Sequence, residues 1–481
     1  MNLFATKSLK TIQAEAGEDS HGLKKALGPL QLMALGVGAI IGAGLFSLTG
    51  IAAANHAGPA VTLSFVVAAI GCAFAGLCYS EFSTMIPIAG SAYTYSYATM
   101  GELMAWVIGW DLVLEYAVGA STVAVSWSGY MRSLLQDWGI HLDPRWMNSP
   151  FTDIKLASGE HVHGILNLPA IFIVVCVSIL LIIGIQESAR ANAVIVALKV
   201  SVVILFILFG WAYIQTRNYH PYIPANTGEF GHFGLSGILR GAGIVFFAFI
   251  GFDAVSTAAQ EARHPQKDMP IGIIGSLALC TVLYVLFAHT LTGIVPFMEL
   301  NTEAPVAVAV NHTGLYWLMT AIKLAILAGY TSVILVMLLG QSRVFYSMSN
   351  DGLLPKLFCD VHPRFRTPWR SNLLFMCFVG LFAALAPIQI VGEMTSIGTL
   401  FAFVLVCAGI LIMRRTHPHL PRPFRTPLVP LVPILGILSC LALMFGLGLS
   451  NWLRLFVWMA IGLIVYFTYG RHHSNLNRPQ A

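Results

Sequence analysis

The sequence predicts an all-α membrane protein with twelve transmembrane helices. Ten would form a five-plus-five inverted repeat with discontinuous helices 1 and 6, and two would be peripheral. The first reason is composition: 57% of the 481 residues are hydrophobic, only 10% are charged, and the mean hydropathy is +0.77. Soluble domains carry about 25% charged residues. The second reason is a pair of glycine-rich apolar segments at matching places in the two halves of the chain.

Apolar runs separated by polar, glycine-rich or proline-rich segments define the individual helices. Each transmembrane helix needs about 20 mostly apolar residues. In chain order, the twelve predicted helices are at residues 30–51, 58–81, 99–130, 166–185, 191–214, 236–262, 271–294, 316–343, 372–388, 393–414, 428–448 and 451–470. Helices 1–5 (30–214) would form the first repeat, helices 6–10 (236–414) the second, and helices 11–12 (428–470) the peripheral pair.

The distribution of lysine and arginine sets the expected orientation, because cytoplasmic loops of membrane proteins carry an excess of these residues. With the N-terminus inside, 18 of the 26 basic residues lie on the cytoplasmic side, four in outer loops, and four within or at the ends of helices. Residues 1–29 lack the apolar region of a cleavable signal peptide. We therefore expect residues 1–29 and 471–481 to be cytoplasmic and the protein to be integral to the cytoplasmic (plasma) membrane.

Two predicted helices are expected to break at mid-depth. Helix 1 contains GVGAIIGAGLFSLTG (36–50), with four glycines in nine residues, and each costs about 1 kcal/mol of helix stability relative to alanine. Helix 6, which runs in the opposite direction, repeats the pattern in GAGIVFFAFIGFD (241–253). A broken helix is tolerated in lipid only where its freed backbone groups are buried in protein or line a cavity. Such a pair is a sequence indication of a transporter binding site.

Four motifs carry a family resemblance: the helix 1 segment, residues 81–95, FFAFIGFDAVSTAAQEARHPQKDMPIGI (246–273) and residues 340–355. On these motifs the chain resembles the amino acid–polyamine–organocation (APC) transporter superfamily, and within it the bacterial relatives of the cationic amino acid transporter family. The resemblance implies amino acid substrates. Resemblance to proton-driven members implies that Lys199 replaces a coupling sodium ion between helices 1, 5 and 8. Gln260 departs from the motif, which more often has two adjacent acids, and only Glu261 remains; we expect an altered cytoplasmic gate.

The backbone at the two breaks predicts a site for a zwitterion. If helix 1 resumes near Gly44, the amides of Gly42, Ala43 and Gly44 are unpaired donors at a positive helix end, which suits a carboxylate. If helix 6 stops near Ala248 or Phe249, its unpaired carbonyls suit an ammonium group. The alternative is that the glycines only allow close helix packing. The predicted substrate-binding residues are Ile40, Ile41, Gly42, Ala43, Gly44, Glu115, Phe246, Ala248, Phe249, Ile250, Phe252, Asp253 and Met337.

Ionisable residues at membrane depth are functional candidates, because a charge there costs about 2.5–3.5 kcal/mol on insertion scales. Glu115 and Asp253 are expected either to face a cationic substrate side chain or to bind freed backbone amides, and Asp111 to assist packing and gating. Lys199 lies in predicted helix 5, where desolvation disfavours its charged form and suits it to proton exchange. The alternative is that Lys199 snorkels to the cytoplasmic headgroups. Met337, Phe246, Phe249 and Phe252 are expected either to limit the space for the substrate side chain or only to pack in the core.

These features predict a secondary active transporter that moves cationic or small neutral L-amino acids by alternating access, as a proton symporter. An amino acid or polyamine exchanger without proton coupling is the alternative, and a channel or an amino acid sensor is less favoured. The chain has no HExxH, GxSxG or Walker A motif, so we expect no catalytic residue, metal or cofactor. The expected partners are the amino acid, protons and the lipid bilayer, without nucleic acid; accessory subunits stay open.

Overall fold

The computed structural model describes residue 3 and residues 5–7, 27–86, 91–155, 161–184, 189–257, 259 and 262–476. Most of these residues are helical. In chain order the α-helices are α1 (Pro29–Ile40), α2 (Thr49–Ala52), α3 (Val61–Met85), α4 (Ser91–Thr99), α5 (Glu102–Val113), α6 (Gly119–Asp137), α7 (Leu168–Ile183), α8 (Ala189–Gly210), α9 (Gly234–Val245), α10 (Ala254–Thr257), α11 (Pro265–Ile294), α12 (Pro305–Thr313), α13 (Tyr316–Asn350), α14 (Trp369–Leu385), α15 (Ile388–Thr416), α16 (Leu431–Gly446), α17 (Leu449–Val465) and α18 (Arg471–His473).

Shorter elements extend or connect these helices. The π-helical turns are Gly44–Leu48, Ala53–Ala57, Leu114–Val118 and Tyr466–Gly470. The 3₁₀ turns are Gly58–Ala60, Pro144–Met147, Trp211–Tyr213, Thr216–Tyr219, Phe246–Phe249, Phe297–Leu300 and Lys356–Phe358. The strands β1 (Asp153–Lys155) and β2 (His161–His163) form an antiparallel pair between α6 and α7, with Ile154 opposite Val162.

Seven helical segments of the described chain are long and apolar enough to cross a membrane, and five shorter apolar helices accompany them. Their burial inside the protein differs. The most apolar window of Glu102–Asp137 is 78% buried, whereas that of Leu449–His473 is 22% buried. The first segment therefore lies in the centre of the bundle. The second lies at its lipid-facing rim, where Leu449, Phe456 and Ile464 are exposed.

The predicted helices coincide with helical segments, but several ends differ. Predicted helix 3 (99–130) begins at Glu102, because Gly101 at φ +91° separates it from α4, and it continues to Asp137. Helix α11 begins at Pro265, upstream of the predicted residue 271, since proline is favoured in the first helical turn. The sequence analysis missed α4, α12 and the β1–β2 pair, which are too short to show an apolar period.

The two interrupted helices are enclosed by other helices. Helix α11 packs along α1 and α3, and α13 packs along α6 and α8. Glycine allows the closest of these approaches: a Cβ on Gly36 of α1 would lie 2.6 Å from the Ser276 Oγ of α11. Beside the helix 6 break, the rings of Tyr79, Phe252 and Phe403 pack with centroids 5.0 to 5.6 Å apart. Both breaks therefore meet protein rather than lipid, as freed backbone groups require.

Candidate functional site

The first helix is interrupted where its glycines predicted a break. Helix α1 ends at Ile40, Ile41 is extended (φ −71°, ψ 108°), and the chain resumes as a helix at Gly44–Leu48. The amides of Leu45 and Phe46 both donate to the Gly42 carbonyl at 3.2 Å. The amides of residues 42–44 have no acceptor within the described part of the chain. They form a helix N-terminus with free donors, which suits a carboxylate.

The sixth helix is interrupted differently. Helix α9 tightens into the 3₁₀ turn Phe246–Phe249, Ile250 is extended (φ −60°, ψ 133°), and α10 begins at Ala254. Gly251 has φ +116°, a backbone conformation that other residues rarely adopt. The turn ends a helix with carbonyls at its negative end, which suits a cation. One of these carbonyls, that of Ala248, accepts a hydrogen bond from the Tyr284 hydroxyl at 2.9 Å.

The two breaks lie against each other. A Cβ on Gly44 would be 2.3 Å from the backbone nitrogen and Cα of Ala248, and a Cβ on Gly251 would be 2.9 Å from the Ala39 carbonyl. The free amides of residues 42–44 therefore lie beside the end of the Phe246–Phe249 turn. All thirteen predicted substrate-binding residues are buried. The breaks thus bring a donor end and an acceptor end together inside the protein.

Two of the predicted acidic residues meet near the second break. Glu115 lies in the π-helical turn Leu114–Val118, is 1% exposed, and has its carboxyl group beside that of Asp253. The Tyr116 hydroxyl donates to Asp253 Oδ2 at 3.3 Å. Asp111 is also 1% exposed, and neither of its carboxyl oxygens has a hydrogen-bond partner within the described ranges. The π turn has no sequence signature that could have predicted it.

Lys199 is held inside the protein between three helices. It lies on α8, is 2% exposed, and its Nζ donates to the Gly38 carbonyl of α1 at 2.8 Å. Its methylene groups face Gly329 of α13, where a Cβ would lie 3.0 Å from the lysine Cε. Gly38 is in the last turn of α1, at a negative helix end that favours a cation. The ammonium group is therefore buried against the last turn of α1, just before the first break, and is not exposed at the protein surface.

The remaining predicted residues divide between the breaks and the surrounding core. The Met337 Sδ would be 3.3 Å from a Cβ on Gly119, one turn beyond Glu115, so Met337 fills space beside the acidic pair. Phe246 and Phe252 pack on Phe403, with centroids 5.6 and 5.0 Å apart. They belong to an aromatic core.

Small residues of helix α13 face different neighbours. A Cβ on Gly42 would lie 3.5 Å from the Val333 side chain, whereas Gly329 faces Lys199 and Gly340 faces Tyr116. Gln260 and Glu261, where the motif departs from its usual pattern, lie outside the described residues.

The sequence analysis missed a polar contact in the first turn of the resumed helix. The Ser47 hydroxyl lies 2.6 Å from the Glu303 carbonyl oxygen and 2.9 Å from the Tyr330 hydroxyl. Burial raises the pKa of the Glu303 carboxyl, and Arg132, at 3.7 Å, opposes that rise. These groups are far apart in sequence, so no local pattern predicts their contact. They join the resumed part of helix 1 to α6, α13 and the segment before α12.

Comparison with known proteins decides the family. A family model described as amino acid permease matches residues 27–468, which is most of the chain.

The chain belongs to the amino acid permease family.

The predicted membership of the APC superfamily is thereby confirmed, and the permease is an integral membrane transporter, not an enzyme. It is 44% identical over 479 residues to the branched-chain amino acid permease BcaP of Bacillus subtilis, covering 99% of both chains. It is 40% identical over 477 residues to a methylthioribose transporter of the same organism, covering 99% of this chain and all of the relative. It is 34% identical over 426 residues to the vacuolar cationic amino acid transporter 4 of Arabidopsis thaliana, covering 87% and 68%.

Proposed function

We propose that the permease is a secondary active transporter that moves L-amino acids across the cytoplasmic membrane by alternating access, as a proton symporter with both termini in the cytoplasm. Its architecture would be twelve transmembrane helices, with residues 30–214 and 236–414 as inverted repeats. One observation carries the proposal: the free amides of residues 42–44 lie beside the Phe246–Phe249 helix end, with a Gly44 Cβ only 2.3 Å from the Ala248 backbone.

The substrate's charged groups follow from these two helix ends. A carboxylate would accept hydrogen bonds from the amides of residues 42–44, and an α-ammonium group would donate to carbonyls near Phe249. Both groups leave water when they bind, so each needs a polar partner to offset its desolvation. A molecule carrying one of each, a few ångströms apart, matches both ends at once. This is the backbone of an α-amino acid.

A neutral, apolar side chain is the first candidate. Ile40, Ile41, Phe246, Phe249 and Met337 are buried around the breaks, and they provide apolar surface. Each buried methylene of the substrate would contribute about 0.8 kcal/mol. The name of the branched-chain permease to which the chain is 44% identical supports this assignment.

A cationic side chain is the second candidate, and the carboxyl groups of Glu115 and Asp253 favour it. Both carboxyl groups are buried beside each other, and a cation between them would stabilise their ionised forms. The cationic amino acid transporters among the relatives support this reading.

Proton coupling would act through Lys199. Its charged form is attracted to the negative end of α1 at Gly38, and its neutral form is attracted less. Loss of the proton would therefore loosen α1 beside the substrate site, which links protonation to access. The alternative is amino acid exchange in which Lys199 keeps its proton throughout the cycle.

The decisive experiment is uptake into liposomes that contain the purified permease. Labelled leucine, isoleucine, valine, alanine, lysine, arginine and methylthioribose are tested with and without an inward proton gradient. We expect accumulation of a neutral amino acid that depends on the gradient and is stimulated by internal substrate. Preferential uptake of lysine or arginine would instead favour a substrate with a cationic side chain. Binding without uptake would indicate a sensor, and uptake without saturation or counterflow would indicate a channel; either outcome contradicts the proposal.

A further inference from the structure

Residues near the N-terminus cap the helix that leads to the acidic pair. The Ala5 carbonyl accepts a hydrogen bond from the Glu102 amide at 3.1 Å. The Leu3 carbonyl accepts one from the Leu103 amide at 3.0 Å. Both amides lie in the first turn of α5, where a helix has no acceptor of its own for them. The N-terminal residues therefore fix the start of α5, which continues into the π-helical turn that contains Glu115.

Lys7 fastens the same N-terminal residues to the end of α13. Its amide donates to the Tyr97 carbonyl at 3.2 Å, and its Nζ donates to Asp351 Oδ1 at 2.7 Å. The ammonium group also lies 5.9 Å from the centroid of the Tyr97 ring, within range of a cation–π interaction. The side chains of Lys7 and Asp351 are only 11% and 17% exposed, so salt screens their attraction less than at an open surface.

The C-terminal tail binds at the same two places. Ser474, which follows α18, donates its hydroxyl to the buried carboxyl group of Glu102. The next residue, Asn475, donates its amide to the Asp351 carbonyl at 3.0 Å. The two chain ends thus meet at the start of α5 and at the residue that follows α13. We define the terminal latch as Lys7, Glu102, Asp351, Ser474 and Asn475.

Helix α4 carries three tyrosines, and two of them contact the terminal latch. Tyr93 and Tyr97 are one helical turn apart and share a face. The Tyr93 hydroxyl donates to Asp351 Oδ2 at 2.7 Å, and the Tyr97 hydroxyl donates to Glu102 Oε2 at 3.2 Å. Tyr95 is two residues from each and faces the other way. One face of α4 is therefore bound to the latch.

The other face of α4 covers the second break. The ring of Tyr95 is buried, with its centroid 6.5 Å from that of Tyr79. The Tyr79 ring packs on Phe252 at 5.6 Å, and Phe252 lies inside the break beside Asp253. In the proposed orientation these rings lie on the cytoplasmic side of the break. Helix α4 therefore closes the cytoplasmic approach to Asp253.

We propose that the terminal latch holds α4 as a lid over the second break, and that both chain ends must release before the substrate site opens to the cytoplasm. This inference rests on the proposed orientation and alternating-access cycle, and not on the identity of the substrate or on proton coupling. The latch joins α4 and α5 to α13 through hydrogen bonds to charged groups, which are stronger than neutral ones. Removing one partner would therefore shift the equilibrium toward the open form.

The test measures how fast a cysteine beneath the lid reacts with a maleimide. Ser256 of α10 is buried beside the Tyr95 hydroxyl, and Ser256→Cys replaces one oxygen with sulfur. The purified, full-length variant is labelled in detergent, and peptide mass spectrometry follows residue 256 separately from the natural cysteines. We expect Lys7→Gln to speed labelling about tenfold, because it removes a hydrogen bond between charged groups. Lys356→Gln removes an exposed positive charge near the same end of α13 and, as the matched control, leaves the rate unchanged.

A second set of variants tests whether the latch acts as a unit. Asp351→Asn weakens the same ion pair, so the double variant K7Q/D351N should label no faster than the faster single variant. Ser474→Ala retains the N-terminal contacts and tests the C-terminal tail alone. We expect about fivefold faster labelling from the lost hydrogen bond to the Glu102 carboxyl group.

The labelling rates decide the proposal without a transport measurement. If Lys7→Gln and Ser474→Ala label no faster than Lys356→Gln, the latch does not hold the lid, whether or not their melting temperatures fall. Independent, additive effects of Lys7→Gln and Asp351→Asn would also overturn it. Fast labelling in a permease that takes up no amino acid would contradict the proposed function and leave the latch supported.

Discussion

The breaks in helix 1 and helix 6 share a glycine-rich sequence but differ in structure. The first is short: only Ile41 and Gly42 leave the helix before the chain resumes with free amides. The second tightens into a 3₁₀ turn and then crosses Ile250–Asp253, with Gly251 at φ +116° and a carboxyl group inside the break. The first break therefore presents donors. The second presents acceptors together with an ionisable side chain.

The glycines of the two breaks also have different tasks. Gly44 allows the Ala248 backbone to approach, since a Cβ would lie at 2.3 Å. Gly251 supplies a positive φ, and its Cβ would also press on the Ala39 carbonyl at 2.9 Å. At Gly42 a Cβ would meet only the Val333 side chain at 3.5 Å, an ordinary contact. A glycine count thus marks a break without identifying the indispensable glycine.

The largest effect is expected for Gly44→Ala. The new methyl group collides with backbone atoms, which cannot rotate away, so the breaks must separate. Overpacking of this kind costs about 3 kcal/mol. We expect no measurable uptake in liposomes and a clear drop in melting temperature. Normal uptake by this variant would mean that the breaks do not need to touch.

Gly251→Ala comes second. A strained backbone conformation costs about 1–3 kcal/mol. The new methyl group would also collide with the Ala39 carbonyl. We expect uptake to fall about tenfold or more and melting to shift less than in Gly44→Ala. As a matched control, Gly228→Ala is also at positive φ (+97°) but meets no atom within 4 Å, so it carries the backbone strain without the contact. Equal effects on uptake would contradict a specific role for the contact at Gly251.

At each break a buried side chain donates to a backbone carbonyl, and the two donors differ chemically. Lys199 donates to Gly38 in helix 1, and Tyr284 donates to Ala248 in helix 6. We expect Lys199→Met to abolish accumulation driven by a proton gradient while exchange and substrate binding persist. Tyr284→Phe loses a neutral hydrogen bond worth about 1 kcal/mol, so uptake slows but stays gradient-dependent. Gradient-driven accumulation by Lys199→Met would remove Lys199 from the coupling mechanism.

The smallest effect is expected for Gly42→Ala. Its methyl group fits beside Val333, and the backbone amides stay free. We expect an affinity change of about threefold or less, corresponding to less than about 0.7 kcal/mol. Melting temperature and maximal uptake should match the unsubstituted permease. An effect as large as that of Gly44→Ala would show that the two glycines are equivalent and would contradict their different roles.

The positions of the breaks could be predicted because helix propensity is a local property, and four glycines in nine residues lower it locally. Contacts between helices could not be predicted. Nothing in the sequence spacing shows that Gly329 faces Lys199, or that Tyr284 reaches Ala248, because these depend on how each helix rotates about its axis. The placement of Lys199 between helices came from family resemblance. The π turn around Glu115 and the contact of Ser47 with Glu303 leave no local pattern at all.

In the proposed mechanism one break binds a carboxylate and the other an ammonium group. Competition against labelled substrate separates the two roles with three compounds: the best substrate of the uptake panel, its methyl ester and its deaminated acid. We predict that each analogue competes about tenfold or more worse than the amino acid, because each leaves one desolvated helix end without its charged partner. If either analogue competes as well as the amino acid, the opposed helix ends do not form the binding site.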